Sequence, residues 1–428
     1  MLNFLSKRAS FARIFGGSIL SQILLSATNF LVGIILVRRA PQAQYGYYVL
    51  INSAVPLLAL LQGAFIAPSL QSRVTIADTE ERREFVGGLL REQRLLLVAV
   101  GVASLVICAL AWGAGALHTE GTVIAALGSI AAVAWLFREC RRMLLIAYRH
   151  SVDVLRGDAI FAAILVAGVW ISTLTDAAAA ISAVAIAAAA AIGGVALSRA
   201  LWRHDPWISP GTPRALIQTI QMGTWAAVGA AVHWAFSQGY TFIVASRLDV
   251  SAVAAIAATR LLLSPVGVFS IGISTMMYST STLWLKHHGA RGLLRRVLLF
   301  TLAMSLAALA YVALMWLMRD WIFLNVLKKD YPQRDLLLGI WALVFLCTVV
   351  RDQVIFLLIA HARWMQLAGL TSVCAVLGLS VSFFAIQRYG AAGGLLGLLV
   401  GEIAHVVGVI VLTYRDMRTN GGNSAAAG

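Results

Sequence analysis

The chain has 428 residues, 60% of them hydrophobic and 12% charged, with a formal net charge of +15. Soluble domains carry about a quarter charged residues, so a mean hydropathy of +0.86 excludes that class and marks a polytopic membrane protein. The basic residues cluster in short segments between apolar runs, which is the pattern of cytoplasmic loops facing anionic lipid and not that of a nucleic-acid surface.

Taken in order, residues 1–13 set Lys7, Arg8 and Arg13 among Leu2, Phe4, Leu5 and Phe11, an amphipathic segment for a membrane surface. Apolar runs follow that predict helices at 14–37, 47–68, 94–116, 121–147, 157–175 and 178–199. A second set is predicted at 223–245, 253–279, 297–318, 335–360, 364–387 and 391–413. The fold class expected is therefore all-α, with about twelve transmembrane helices in two parallel six-helix bundles around a central cavity. Residues 1–199 form the N-terminal bundle, 200–222 a cytoplasmic connector with Pro206, Pro210 and Pro213, and 223–413 the C-terminal bundle. The last stretch, 414–428, is a low-complexity tail expected to be disordered. With the termini inside, cytoplasmic segments hold about 23 Lys and Arg residues and outer segments about 8, the bias that sets orientation. Cys108, Cys140, Cys347 and Cys374 lie in or beside apolar runs without Cys-x-x-Cys spacing and read as inert thiols.

Two landmarks repeat at about half the chain length. Arg138-Glu139 followed by Leu144-Leu145-Ile146-Ala147 returns as Arg351-Asp352 followed by Leu357-Leu358-Ile359-Ala360, an offset of 213 residues. Pro56 with Gly63 returns as Pro265 with Gly272, an offset of 209. Six helices per half restore the same orientation, so the two halves are related by an axis along the membrane normal.

Ionisable residues inside hydrocarbon cost a few kcal/mol each, and they and their polar neighbours mark candidate sites. Ser18, Gln22, Ser26 and Asn29 share one face of the first helix, either a packing stripe or the wall of a wet cavity. His233 stands with Ser237 and Thr241, as a hydrogen-bonded core histidine or as a ligand or proton carrier. Arg260 lies about two turns into its helix, snorkelling outward or facing a lumen. Arg138 and Arg141 in the fourth helix, and Arg351 with Asp352 in the tenth, are either structural ion pairs or a net cationic wall for an anionic head. Glu402 and His405, one turn apart in a frame of Gly393, Gly397, Gly401 and Gly408, are either a proton relay or a plain hydrogen bond. There is no Gly-x-x-x-x-Gly-Lys-[Ser/Thr] loop, no His-Glu-x-x-His, no Asp-x-Asp and no nucleophile elbow, so an enzyme is disfavoured, with no cofactor and no metal expected.

Short motifs then add a resemblance. Tyr45-Gly46-Tyr47-Tyr48 opens the second helix, and Leu145-Ile146-Ala147-Tyr148-Arg149 closes the fourth. Gly223-x-Trp225, Ala257-Ala258-Thr259-Arg260 and Tyr389-Gly390-Ala391-Ala392-Gly393 follow in the second half. Together with twelve helices in two halves, these resemble the lipid-linked oligosaccharide flippases (Wzx type) of the multidrug/oligosaccharidyl-lipid/polysaccharide (MOP) exporter superfamily. The resemblance implies alternating access in a bacterial inner membrane. It implies an undecaprenyl-pyrophosphate-linked saccharide as substrate, moved to the periplasmic leaflet for polysaccharide biosynthesis, with a polymerase and a chain-length regulator as partners. Arg138, Arg141, Arg260 and Arg351, with Gln22 and Asn29, would then bind substrate; Asp352, Glu402, His405 and His233 would couple an ion. The alternatives are a cation-coupled multidrug antiporter of the same fold, and a polyprenyl-sugar polymerase or glycosyltransferase. Arginines facing the lumen argue against the first, because a cationic drug would meet like charge. Short outer loops argue against the second.

Overall fold

Apolar stretches of this length leave the backbone no polar solvent, so each closes its own hydrogen bonds as a helix. The computed structural model describes residues 2–74, 78–361 and 363–425, with side chains described at 16–70, 73–74, 78–270, 273–274, 277, 280–361 and 363–415. Among these residues every regular element is helical. They are α1 (Leu2–Arg39), α2 (Gln42–Ser69), α3 (Thr79–Gly113), α4 (Thr119–Ala147), α5 (Ser151–Ser172) and α6 (Ala178–His204). Then come α7 (Ala215–Arg247), α8 (Val250–Leu317), the short α9 (Arg319–Trp321), α10 (Arg334–Ala360), α11 (Trp364–Tyr389) and α12 (Ala391–Ala425). Twelve segments of the described residues are long and apolar enough to cross a membrane, two of them, Val250–Ser270 and Thr280–Leu317, within α8. Leu95, Val98, Val102, Ile107 and Leu110 of α3 are exposed, an apolar face suited to lipid tails.

The helices exceed their hydropathy bounds. α3 begins at Thr79 instead of 94, and α7 at Ala215 instead of 223, because polar helix ends keep their hydrogen bonds outside hydrocarbon where hydropathy no longer reports them. The loop expected over 280–296 is likewise helical, broken only at Gly289, whose φ of 65° and ψ of −177° suit a residue without Cβ. Earlier in α8, Pro265 has no amide to give the Leu261 carbonyl. Ser264 Oγ donates there at 2.8 Å, and the Tyr311 hydroxyl donates to the next carbonyl, Leu262, at 2.9 Å. The amphipathic reading of 1–13 falls outside the described side chains, and the tail expected from 414 is described in its backbone as a continuation of α12 through Ala425.

The chain divides into two compact units, Met1–Ala231 and Val232–Gly428. The division falls inside α7. Within the first unit α4 and α5 pack on α6, α1 packs on α5, and α2 on α4. Within the second α10 and α11 pack on α12, and α8 on α10. Gly397 of α12 meets α11 so closely that a Cβ on it would lie 2.1 Å from Ser382 Oγ and 2.3 Å from the Gly378 carbonyl oxygen.

The segment between α6 and α7 is strapped along α3. The Ile208 and Thr212 amides donate to the Arg83 and Glu84 carbonyls at 3.1 and 2.9 Å. The Arg214 and Leu216 amides donate to the Glu92 carboxylate at 2.7 and 2.9 Å. Gly87 permits this approach, because a Cβ there would lie 1.8 Å from the Ile208 carbonyl oxygen. Asp205, just past α6, accepts from Arg82 Nε at 2.8 Å and from Arg83 Nε. Burial by itself would raise its pKa; hydrogen bonds from Arg83, Arg82 and Tyr148 outweigh burial and hold it below the ordinary 3.8. A depressed carboxylate contributes stability that is present above its unfolded pKa and lost as pH falls through the lower folded value. Thermal melting of the wild type is therefore expected to drop more steeply below about pH 4 than that of Asp205→Asn. Parallel profiles for the two proteins would remove Asp205 from the acid sensitivity of the fold.

Candidate functional site

Among the described residues, each unit buries a cluster of charge within its membrane-length helices. In the first, α4 carries Arg138, Glu139, Arg141 and Arg142 in a single run. With 3.6 residues per turn, the run turns Arg138 and Arg142 toward α5 and Arg141 toward α3. Asp158 of α5 is fully buried and is the hub. Arg138 donates to one of its oxygens; Arg142 Nε (3.1 Å) and the Ser21 hydroxyl of α1 donate to the other. Arg142 Nη1 also reaches Glu139 at 3.1 Å. The Arg138 guanidinium lies 4.1 Å from the Phe161 ring centroid, a cation–π contact strengthened by the absence of water.

Arg141 is buried differently. Its Nη1 donates to Gln93 Oε1 of α3 at 2.5 Å and to the Phe137 carbonyl at 2.9 Å. Gln93 in turn donates to Gln62 Oε1 and to the Leu136 carbonyl, both at 3.1 Å. Nε and Nη2 of Arg141 have no partner among the described residues, and no acid pairs with it there. The surplus positive charge of this cluster therefore resides on Arg141.

In the second unit the balance has the opposite sign. Arg351 Nη1 donates to both oxygens of Glu402, at 2.7 and 2.9 Å, and Nη2 reaches Asp352 Oδ1 at 2.9 Å. Ser270 of α8 donates to Asp352 Oδ2 at 3.0 Å. One arginine thus answers two acids. Glu402 is committed to Arg351 and not to His405, whose Nε2 lies 3.4 Å from Thr371 Oγ1 and whose ring packs edge-on against Phe236 at 5.9 Å. The pair expected one turn apart on α12 is split between two partners.

The other candidates are dispersed. Arg260, half-buried on α8, donates to Gln238 Oε1 at 3.0 Å and lies 5.3 Å from the Trp341 ring centroid. No acid among the described residues pairs with it. His233 is exposed, as are Gln22 and Asn29; the packed face of α1 carries Ser21 and Thr28 instead. A cavity of about 240 Å³ lies between Pro265, Phe269, Met304 and Tyr311, an apolar space touching none of these charged groups.

Arg138 and Arg351 stand equally far from the ends of α4 and α10, at Ala147 and Ala360. Their acids come from different helices, α5 in one unit and α12 in the other. Four arginines against two acids, as counted on α4 and α10 alone, become four against four once Asp158 and Glu402 are included. Asp158, Gln93 and Ser21 escaped sequence reasoning; the available signal was an acid just inside the apolar run at 157–175.

No protein-family model and no curated protein matches the sequence. Solved structures do match. The inward-facing conformation of a multidrug resistance MATE family transporter of the MOP superfamily aligns with a TM-score of 0.77 at 15% identity, over 93% of this chain and 95% of that one. The outward-facing conformation of such a transporter aligns at 0.64 and 14%, over 96% of both chains. A MOP superfamily transporter from Pyrococcus furiosus Vc1, described as having a binding pocket of reverse polarity that suggests a different function, aligns at 0.64 and 14%, over 95% of both. At these identities the likeness is one of architecture: the chain has the fold of MOP-superfamily transporters.

Proposed function

We propose that the chain is an exporter working by alternating access, and that its substrate is a polyprenyl-pyrophosphate-linked saccharide carried from the cytoplasmic to the periplasmic leaflet of a bacterial inner membrane. Both termini are then cytoplasmic, and the product feeds a polysaccharide polymerase and its chain-length regulator. The observation that carries this reading is Arg260. It lies ten residues after Val250, the start of α8, about 15 Å along the helix and so near the middle of a ~30 Å hydrocarbon core. A guanidinium at that depth, bonded to a neutral glutamine and to no described acid, is poorly compensated unless an anion visits it. A diphosphate would accept two parallel N–H donors from it, a geometry lysine cannot reproduce. Arg141 supplies a second uncompensated cation, in the first unit.

Arg260→Ala is expected to reduce complementation of a flippase-deficient strain, scored as surface polysaccharide, by about ten- to hundredfold, the size of one or two charge-assisted hydrogen bonds. Arg260→Lys should recover part of it, with membrane abundance equal in all three proteins. Normal polymer from an abundant alanine variant would refute the anionic substrate. A second reading, a cation-coupled multidrug antiporter, is favoured by the acid surplus around Arg351, where Glu402 and Asp352 could take a proton or a cation. Efflux of a cationic dye that rises in Arg260→Ala would select it.

A further inference from the structure

Two histidines and an aspartate meet at one end of the first unit. His150 immediately precedes α5, and Asp153 follows one turn later on the same face. His204 is the last residue of α6, whose end lies beside the start of α5. The His150 and His204 rings are stacked, 3.7 Å between centroids and 10° between planes, and His204 Nε2 lies 2.8 Å from Asp153 Oδ2. One ligand-type atom from each of the three lies within 4.8 Å of the other two. The site is open to solvent, since the His204 side chain is 39% exposed. Arg156 Nη1 lies 3.3 Å from the other Asp153 oxygen, leaving Oδ2 directed at the histidine.

Two imidazoles this close repel if both are charged. Burial, and then the neighbouring His204, push His150 below its ordinary pKa, against a smaller upward pull from Asp153.

We propose that His150, Asp153 and His204 form a binding site for a borderline divalent transition metal ion such as zinc, cobalt or nickel. The donor set is two imidazole nitrogens and one carboxylate oxygen, with water completing a four-coordinate shell. That set suits these ions and not calcium or magnesium, which prefer all-oxygen shells. Ligands about 2.0–2.2 Å from one ion stand roughly 3.3–3.5 Å apart in a tetrahedron. The longest of the three separations must therefore close by at most about 1.5 Å, the His204–Asp153 pair must open by about 0.5 Å, and the two rings must tilt out of their parallel stack, adjustments within reach of rotamer changes in partly exposed side chains. The ion would tie the start of α5 to the end of α6. Asp205, the next residue after His204, is held by Arg82 and Arg83 of α3, so the same node would reach a third helix end. Nothing in this requires the transport reading above.

The test uses tag-free full-length protein in detergent, stripped with chelator and titrated with Co²⁺ alone. The wild type is expected to take one ion per chain with visible absorption of a four-coordinate centre, displaced by Zn²⁺, and its melting temperature should rise with Zn²⁺. His204→Gln should weaken Co²⁺ binding by at least tenfold and abolish the Zn²⁺-dependent rise, while its metal-free melting temperature stays close to wild type. Asp153→Asn is the second variant, should His204→Gln fold poorly, and should weaken binding similarly. Equal Co²⁺ binding in the wild type and a His150→Gln/His204→Gln double variant overturns the proposal. So does a wild type that shows no absorption and no stabilisation up to millimolar metal, which would leave the ring stack as a packing contact.

Discussion

Arg351→Ala is expected to lower the stability of the protein by about 3–5 kcal/mol, the usual result of removing one partner from a buried ion pair. Glu402 is almost wholly buried, and both of its oxygens are held by one guanidinium nitrogen. Without Arg351 the carboxylate must remain charged in a low-dielectric surrounding or take up a proton, and either outcome favours the unfolded state. Arg351→Ala/Glu402→Gln should regain at least half of the loss, because the neutral amide removes the charge that lacked a partner. The measurement is apparent melting in detergent together with the fraction of monodisperse protein. A substrate contact at Arg351 predicts otherwise: an abundant, stable alanine variant without transport, and no stabilisation from the second substitution. Loss of transport in Arg351→Ala is therefore informative about substrate only once stability has been measured, which is why Arg260 is the better position for testing substrate charge.

Gly397→Leu should prevent the second unit from packing, and even Gly397→Ala should cost about 1–3 kcal/mol, the range for forced overpacking. The atoms a Cβ would strike are Ser382 Oγ and the Gly378 carbonyl oxygen. The second is main chain and cannot rotate away. Separating the helices would also stretch the bond from Ser382 Oγ to the Gly394 carbonyl, 2.8 Å long. Gly369, on the same α11, faces open space. Gly369→Ala is expected to be neutral or to stabilise by up to about 1 kcal/mol through helix propensity. Comparable melting for the two alanine variants would show that close approach at Gly397 is not needed.

The membrane-spanning helices were legible because bilayer thickness and hydropathy impose one length scale on the chain. What hydropathy hides is helix that continues beyond hydrocarbon, as at Thr79–Arg91 of α3 and on both sides of Gly289 in α8. Arg138 and Arg351 were found because a guanidinium in an apolar run is conspicuous whatever it touches. Their partners were harder to find. Asp158 lies twenty residues beyond Arg138, at the start of the apolar run 157–175, where an acid is unremarkable. Glu402 was visible as a buried acid, but local spacing favoured His405 and could not reveal that α10 brings Arg351 to it. The same limit concealed His150 and His204, which only the antiparallel seating of α5 on α6 brings together. Local spacing reports what one helix presents; pairings between helices depend on rotations and offsets that no short motif encodes.

Side chains are the compressible layer that lets packed helices slide past one another by an ångström or two. Where Gly378 and Gly397 bring main chain against main chain, that layer is missing. α11 and α12 are therefore expected to move as one, with Glu402 on the same pair. Bending within the second unit is expected instead where the hydrogen-bond ladder is already interrupted. In α8 those places are Pro265, where a serine hydroxyl has taken over the carbonyl left without an amide, and Gly289, whose backbone has already left the helix.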